Sequence, residues 1–285
     1  MAKIFVINSQ GIKEPFSWRK IYYSAQRVGA PKPLARSIAT QIQKKAYSGI
    51  TTREIFKEIK KLLMKERPVS GIRYNLKTAI RHLGPTGFPF EKYIGAIFQT
   101  LGFSTQTNQL ISGAAVAHYE IDLIAKKFRQ LYIGECKFHS IPGNRVDLKV
   151  ALYVYARFLD IKQGAFYREL AAKKIRFRPI VITNTKFTSL AIRYAEYYKI
   201  DLLGWRYPRE RGLEYLIESE KLYPVTILPS ITGDILSKLA SKKIMLIQDL
   251  LKPQASKILL KLGVPKNKIN VIQSEAQLLM QEEIS

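Results

Sequence analysis

The sequence predicts a mixed α/β protein of three consecutive parts: an α+β module over 1–83, a mixed sheet flanked by helices over 84–208, and a helical region over 209–285. Strand patterns alternate with helical ones in the middle third, as expected of a sheet covered on both faces. The stretch Gly84-Pro85-Thr86-Gly87-Phe88-Pro89 places two prolines and two glycines between helical patterns, a boundary signal. Charge is uneven as well. The 285 residues hold 47 Lys plus Arg against 22 Asp plus Glu, a net +25, of which +14 falls before the boundary, +9 in the middle part and only +2 after residue 208.

Composition narrows the function classes. With 47% hydrophobic and 24% charged residues the chain builds real cores rather than a disordered tract. A surplus of this size points to a polyanion, nucleic acid being the commonest, with its footprint in the first two-thirds. One cysteine and three scattered histidines exclude a disulfide framework and a zinc site. No apolar run reaches the ~18 residues of a membrane span, and the opening MAKIFVINSQG lacks a signal-peptide core, so a cytoplasmic protein with no membrane partner is expected.

In the first part, 2–8 and 12–16 read as strands joined by the turn Ser9-Gln10-Gly11. Ser17 caps a helix to about 28, a second runs over 33–47, and Thr51-Thr52-Arg53-Glu54 forms a capping box that opens a third, ending before Pro68. A fourth helical stretch covers 70–82. The middle part predicts a helix over 90–101, strands over 118–125 and 131–138 joined by a basic turn, a helix over 146–159, a strand over 178–183, a helix over 189–198 and a strand over 200–204. Helices over 231–242, 247–251, 254–262 and 266–281 complete the chain, with no repeat of fixed period. The Leu259-to-Pro265 stretch is somewhat like a helix-hairpin-helix, leaving open packing between domains, self-association as a homo-oligomer, or contact with DNA.

The chemistry concentrates in Glu120-Ile121-Asp122 and Gly134-Glu135-Cys136-Lys137. Side chains alternate along a strand, so Ile133, Glu135 and Lys137 share one face. If the two strands pair as a hairpin, Asp122 converges on Glu135. Two carboxylates that close call for a cation, and Mg²⁺ is satisfied by one or two of them plus water and phosphate oxygens. The backbone carbonyl of Cys136 is free to complete its shell, Glu91 offers a third carboxylate, and Lys137 can orient or deprotonate an attacking water.

This pattern of acid, spacer, Glu-x-Lys and a Glu in the preceding helix resembles the PD-(D/E)xK nuclease superfamily, and its wording resembles the Mrr-type restriction endonuclease branch. The resemblance covers about 88–205. It implies a restriction-endonuclease-like fold, a Mg²⁺-dependent DNA endonuclease, catalytic roles for Glu91, Asp122, Glu135 and Lys137, and metal ligation by Asp122, Glu135 and Cys136. The branch carries Gln-x-x-x-Tyr on the next helix; here Lys149 stands for the Gln, followed by Tyr153, and Arg157 extends the same ridge as a candidate DNA contact. A non-catalytic DNA-binding protein of the same shape and an RNA substrate stay open as alternatives.

The N-terminal wording Val6-Ile7-Asn8-Ser9-Gln10-Gly11, Glu14-Pro15-Phe16-Ser17 and Lys20-Ile21 resembles the ATP-cone, an allosteric nucleotide-binding module, over about 3–83. The resemblance implies ATP or dATP as effector, held by Glu14, Lys20 and Thr52. Two positions depart from the family pattern: Asn8 stands where a Lys is usual and Phe56 where a His is frequent.

Overall fold

The computed structural model describes residues 4–84 and 87–281. The protein is mixed α/β with mixed sheets, as the patterning predicts. Two compact units divide the chain, one of 4–79 with 226–235 and 250–281, the other of 80–225 with 236–249. The expected order of three sequential parts differs from this division, because 209–285 contributes to both units.

In the first unit, β1 (Phe5–Ile7) and β2 (Lys13–Pro15) form the expected antiparallel hairpin; Ala2 and Lys3 of the predicted strand lie outside the described residues. The turn closes as the Asn8 amide donates to the Ile12 carbonyl and the Gly11 amide to the Asn8 carbonyl, and Gly11 supplies the positive φ of +77° it needs. Helix α1 (Trp18–Arg27) starts where Ser17 accepts from the Lys20 amide, and α2 (Lys32–Lys45) follows. Strand β3 (Ile50–Thr51) pairs parallel to β1 and leads into α3 (Thr52–Glu66), whose capping box of Thr51 and Glu54 forms as the sequence predicts. The single helix expected over 70–82 is two, α4 (Pro68–Tyr74) and α5 (Leu76–Arg81), broken at Asn75. Ile21, Ala25, Ile38, Ile42, Ile59 and Leu63, at helical spacing, supply much of the core.

The second unit opens with α6 (Phe88–Thr100); of the boundary segment, Pro85 and Thr86 lie outside the described residues. A strand that the sequence reading did not anticipate follows, β4 (Ser104–Ile111). Its residues STQTNQLI offer little apolar alternation, and its pairing with β5 (Tyr119–Lys127) makes it a strand. Next come β6 (Gln130–Lys137), β7 (Arg145–Val146), α7 (Leu148–Gln163), the unanticipated α8 (Ala165–Ala172), β8 (Arg176–Thr183), β9 (Lys186–Phe187), α9 (Ser189–Tyr198), β10 (Asp201–Leu203) and α10 (Leu213–Ser219). The main sheet runs β10-β8-β6-β5-β4, with β10, β8 and β6 parallel and β5 and β4 antiparallel to their neighbours. Helix α6 packs against β4 and β5, while α7 carries Val154, Phe158 and Ile161 into clusters with residues of the sheet.

The tail contains α11 (Gly233–Ser241), α12 (Ala255–Lys261) and α13 (Lys266–Gln281), and the helix expected over 247–251 is 3₁₀. Lys243 and Gly263 both take positive φ just past a helix, and the amides of Ile244 and Val264 return to the carbonyls of Leu239 and Leu259, the same helix-ending turn that Gly29, Gly102, Lys174, Lys199 and Lys221 make elsewhere in the chain.

Candidate active site

The β5–β6 ladder ends at the pair Leu123 and Gly134, so the next opposed positions are Asp122 and Glu135. There Asp122 Oδ2 accepts from the backbone amide of Cys136 at 2.7 Å. A side chain thus takes over at the point where main-chain pairing stops, and it fixes Asp122 against the stretch that carries Glu135 and Lys137. On the opposite edge of β5 the β4 pairs flank Asn108, which has φ +54°, a conformation that Asn tolerates better than most residues. Asn108 Nδ2 donates to Glu91 Oε2 at 2.8 Å. Glu91 sits in the first turn of α6, where a carboxylate favours the helix end.

Glu135 is buried, at 5% exposure. One of its oxygens meets Lys137 Nζ at 2.5 Å, two residues along the same strand face; the other meets Arg157 Nη2 from α7. Arg157 also donates through Nη1 to the carbonyl of Glu120 at 3.0 Å and to the Tyr153 hydroxyl at 3.3 Å, and its guanidinium lies 4.9 Å from the Tyr153 ring centre. Sequence spacing sets Arg157 on the ridge of Lys149 and Tyr153 as a candidate DNA contact. That placement is corrected: Arg157 is as buried as Glu135 and closes on it, because Ala151, Val154, Phe158 and Ile161 turn this side of α7 into the core. Lys149 and half-exposed Tyr153 do lie at the accessible surface of α7, whose N-terminus Asp147 caps.

The electrostatics reflect this crowding. Burial, then repulsion from Glu135 and Glu91, raise the Asp122 pKa to about 7 against the hydrogen bond from Cys136. Glu91 is raised by burial, an effect that the Asn108 bond opposes. Burial pulls Lys137 down, but its bond with Glu135 and the surrounding carboxylates outweigh it and leave the ammonium above its ordinary pKa. Burial lifts the Cys136 thiol well out of the reactive range, consistent with a small side chain packed beneath the sheet.

Sequence spacing thus brings Asp122, Glu135 and Lys137 together, and the described contacts add Glu91. Asn108 and the inward role of Arg157 carry no signal in the sequence: β4 lacks a strand pattern, and the direction of Arg157 depends on which side of α7 meets the sheet. Among the described residues no three His, Cys, Asp or Glu side chains form a metal-holding group by themselves.

The first unit has a separate cleft of about 180 Å³ whose lining includes Glu14, Lys20, Thr52, Ser24 and Tyr74, so the three residues singled out for nucleotide do share one site. Glu14 accepts from Asn8 Nδ2 at 2.7 Å and pairs with Lys20 Nζ at 3.0 Å. Its pKa is lowered first by Asn8 and then by Lys20. The Asn8 side-chain oxygen accepts from the amides of Gln10 and Ile12, so Asn8 serves the turn. Phe56 stacks on Tyr74 at 4.9 Å.

The fold and site define an α/β protein with a carboxylate-lysine cluster at the end of a forked strand pair. The AF1548-like, C-terminal family matches residues 223–280. An uncharacterized protein of Archaeoglobus fulgidus is 38% identical over 176 residues, which are 62% of this chain and 93% of that protein. The crystal structure of AF1548, a protein of unknown function, aligns with a TM-score of 0.58 at 32% identity, covering 69% of this chain and all of that one. This chain belongs to the AF1548-like family.

Proposed function

We propose that the protein is a Mg²⁺-dependent DNA endonuclease with a PD-(D/E)xK, Mrr-type core, regulated by ATP or dATP bound to an ATP-cone-like N-terminal module, and that it works in the cytoplasm. The observation carrying this reading is the convergence of Asp122, Glu135 and Lys137 where the β5–β6 ladder ends, with Glu91 within electrostatic reach. The residues fit a hard cation: burial first, and then the facing carboxylates Glu135 and Glu91, raise Asp122 to about 7, and a divalent ion relieves the repulsive part. Asp122 and Glu135 would hold it, with the Cys136 carbonyl as a further oxygen. When bound, Mg²⁺ activates water and offsets charge on phosphate.

The chain's own groups have separate tasks. Lys137 presents an ammonium beside Glu135, where it orients the attacking water and offsets negative charge on the phosphate under attack. Arg157, itself bonded to Tyr153, holds Glu135 in place, and exposed Lys149 reaches the phosphate backbone. Lys137→Met lowers the Mg²⁺-dependent nicking rate of a supercoiled plasmid by about 10²- to 10⁴-fold while leaving DNA affinity within a few-fold of wild type. An unchanged nicking rate rejects the assignment of Lys137. The second reading, a non-catalytic nucleotide-responsive DNA-binding protein, is favoured by one observation: both Glu135 oxygens already have cationic partners. It is adopted if the wild type nicks neither DNA nor RNA under any divalent ion.

The N-terminal cleft is smaller than the roughly 300–1,000 Å³ of a typical small-molecule site, so only part of a nucleotide enters it. Titration calorimetry of ATP and dATP shows binding to the wild type that Lys20→Ala weakens about tenfold or more, through loss of one charge-assisted phosphate contact. If the nucleotide regulates, it shifts DNA affinity by a factor of about 5 to 150, and DNA shifts nucleotide affinity by the same factor. No heat at millimolar nucleotide rejects the regulatory role.

A further inference from the structure

We propose that the groove between α1 and the outer face of α2 is a track for the sugar-phosphate backbone of single-stranded nucleic acid. Helix α2 buries Ala35, Ile38, Ala39 and Ile42 and turns its other side outward. On that side Lys32, Arg36, Thr40 and Lys44 follow one another in steps of four residues, which places a donor about every 6 Å along about 18 Å of helix axis. These four residues and Tyr22 of α1 line a groove of about 680 Å³. Neither helix contains an acidic residue. Among the described residues Lys32, Arg36 and Lys44 make no ion pair, whereas their neighbour Lys45 is engaged by Glu58 at 3.6 Å.

The groove also carries an aromatic element. Tyr22 stacks on Trp18 with ring centres 5.1 Å apart and planes 12° from parallel, and Trp18 Nε1 donates to Thr40 Oγ1 at 3.4 Å, which ties the ring pair to the donor row. A basic groove that follows a backbone, flanked by an aromatic surface for bases, is the combination that recognises single strands without strong sequence preference. The donor row is too long for one triphosphate, and a trough between two helices admits one strand more readily than the convex flank of a duplex. Its lining shares no residue with the cleft of Glu14, Lys20 and Thr52. Nucleotide and strand therefore occupy different surfaces of this unit and do not displace one another. The inference deepens the nuclease reading by giving nucleic acid a second foothold, and rests on that reading only for the biological use of the groove.

Anisotropy of a labelled oligothymidylate with the full-length protein in EDTA tests it. Arg36→Glu with Lys44→Glu weakens binding at least about tenfold and reduces the slope of log affinity against log salt by about 1.4, the loss of two single-strand phosphate contacts. The swap Arg36→Lys with Lys44→Arg retains binding, and all these residues being at the surface of α2, unchanged thermal melts show that the fold is intact. Tyr22→Ala weakens binding without changing the salt slope. Wild-type affinity in the charge-reversed protein overturns the proposal; so does an equal loss for a blunt duplex, or tighter wild-type binding to polyglutamate than to the oligonucleotide. The nicking assay separates the two readings. Loss of strand binding in a protein that never nicks leaves the track standing and the nuclease rejected, and intact nicking with unaltered strand binding does the reverse.

Discussion

Replacing Arg157 with methionine destabilises the protein by about 3–5 kcal/mol near neutral pH, the cost of breaking a buried ion pair by removing one partner. Arg157 and Glu135 are each 5% exposed, and the guanidinium is further tied to Tyr153 and to the Glu120 carbonyl. Removing it leaves a carboxylate buried with Lys137 alone, whose own side chain is partly in water. Urea unfolding measures the loss. The same experiment on Arg157→Met with Glu135→Gln recovers much of it, since the double variant has no unpaired charge, and the difference from additivity reports the coupling. A second consequence follows from occupancy. In wild type the guanidinium supplies part of the positive charge that Glu135 requires, so Mg²⁺ raises the melting temperature of Arg157→Met more than that of wild type. An unchanged urea midpoint in the variant would mean that the pair does not persist in solution.

Under the proposed endonuclease function, Asp122→Asn does two things at once, abolishing cleavage and raising stability. The Asn oxygen can still accept from the Cys136 amide, so the fork survives while the charge is lost. With its pKa raised from 3.8 to about 7, the folded protein holds a proton that the unfolded chain has released. The contribution of that proton to stability is fully present below pH 3.8 and is lost as pH rises through about 7. The Asn variant shows no such fall. Its advantage over wild type is therefore near zero at pH 3.8 and complete above 7, about 1–3 kcal/mol once the partial exposure of Asp122 is discounted. Denaturant titrations across that window, without divalent ions, check the sign; added Mg²⁺ narrows the gap by stabilising wild type alone. Residual cleavage at the wild-type rate would remove Asp122 from the site, and a stability gain independent of pH would assign the effect to packing instead.

Much of the site was legible in sequence because strand geometry is local. The two-residue period puts Glu135 and Lys137 on one face with no knowledge of the fold, and a short hairpin limits where Asp122 can fall. The helix starts at Ser17 and Thr51 were legible for the same reason, each cap being a contract among four consecutive residues. That Glu14, Lys20 and Thr52 belong to one cleft came from the resemblance to the ATP-cone, not from their spacing.

What only the tertiary structure decided lies in contacts distant along the chain. Whether Arg157 points to water or to Glu135 depends on which side of α7 meets the sheet, and a helix with apolar residues on more than one side does not announce that. Strand β4 exists through its ladder with β5 rather than through propensity, and with it comes Asn108, which no pattern within the strand could place beside Glu91. The tail patterning predicts one helical part, yet its segments divide between two compact units because burial is settled by partners and not by order along the chain. Composition and short-range geometry determined which charged groups the strands and helix starts carry; long-range packing determined which charges face one another.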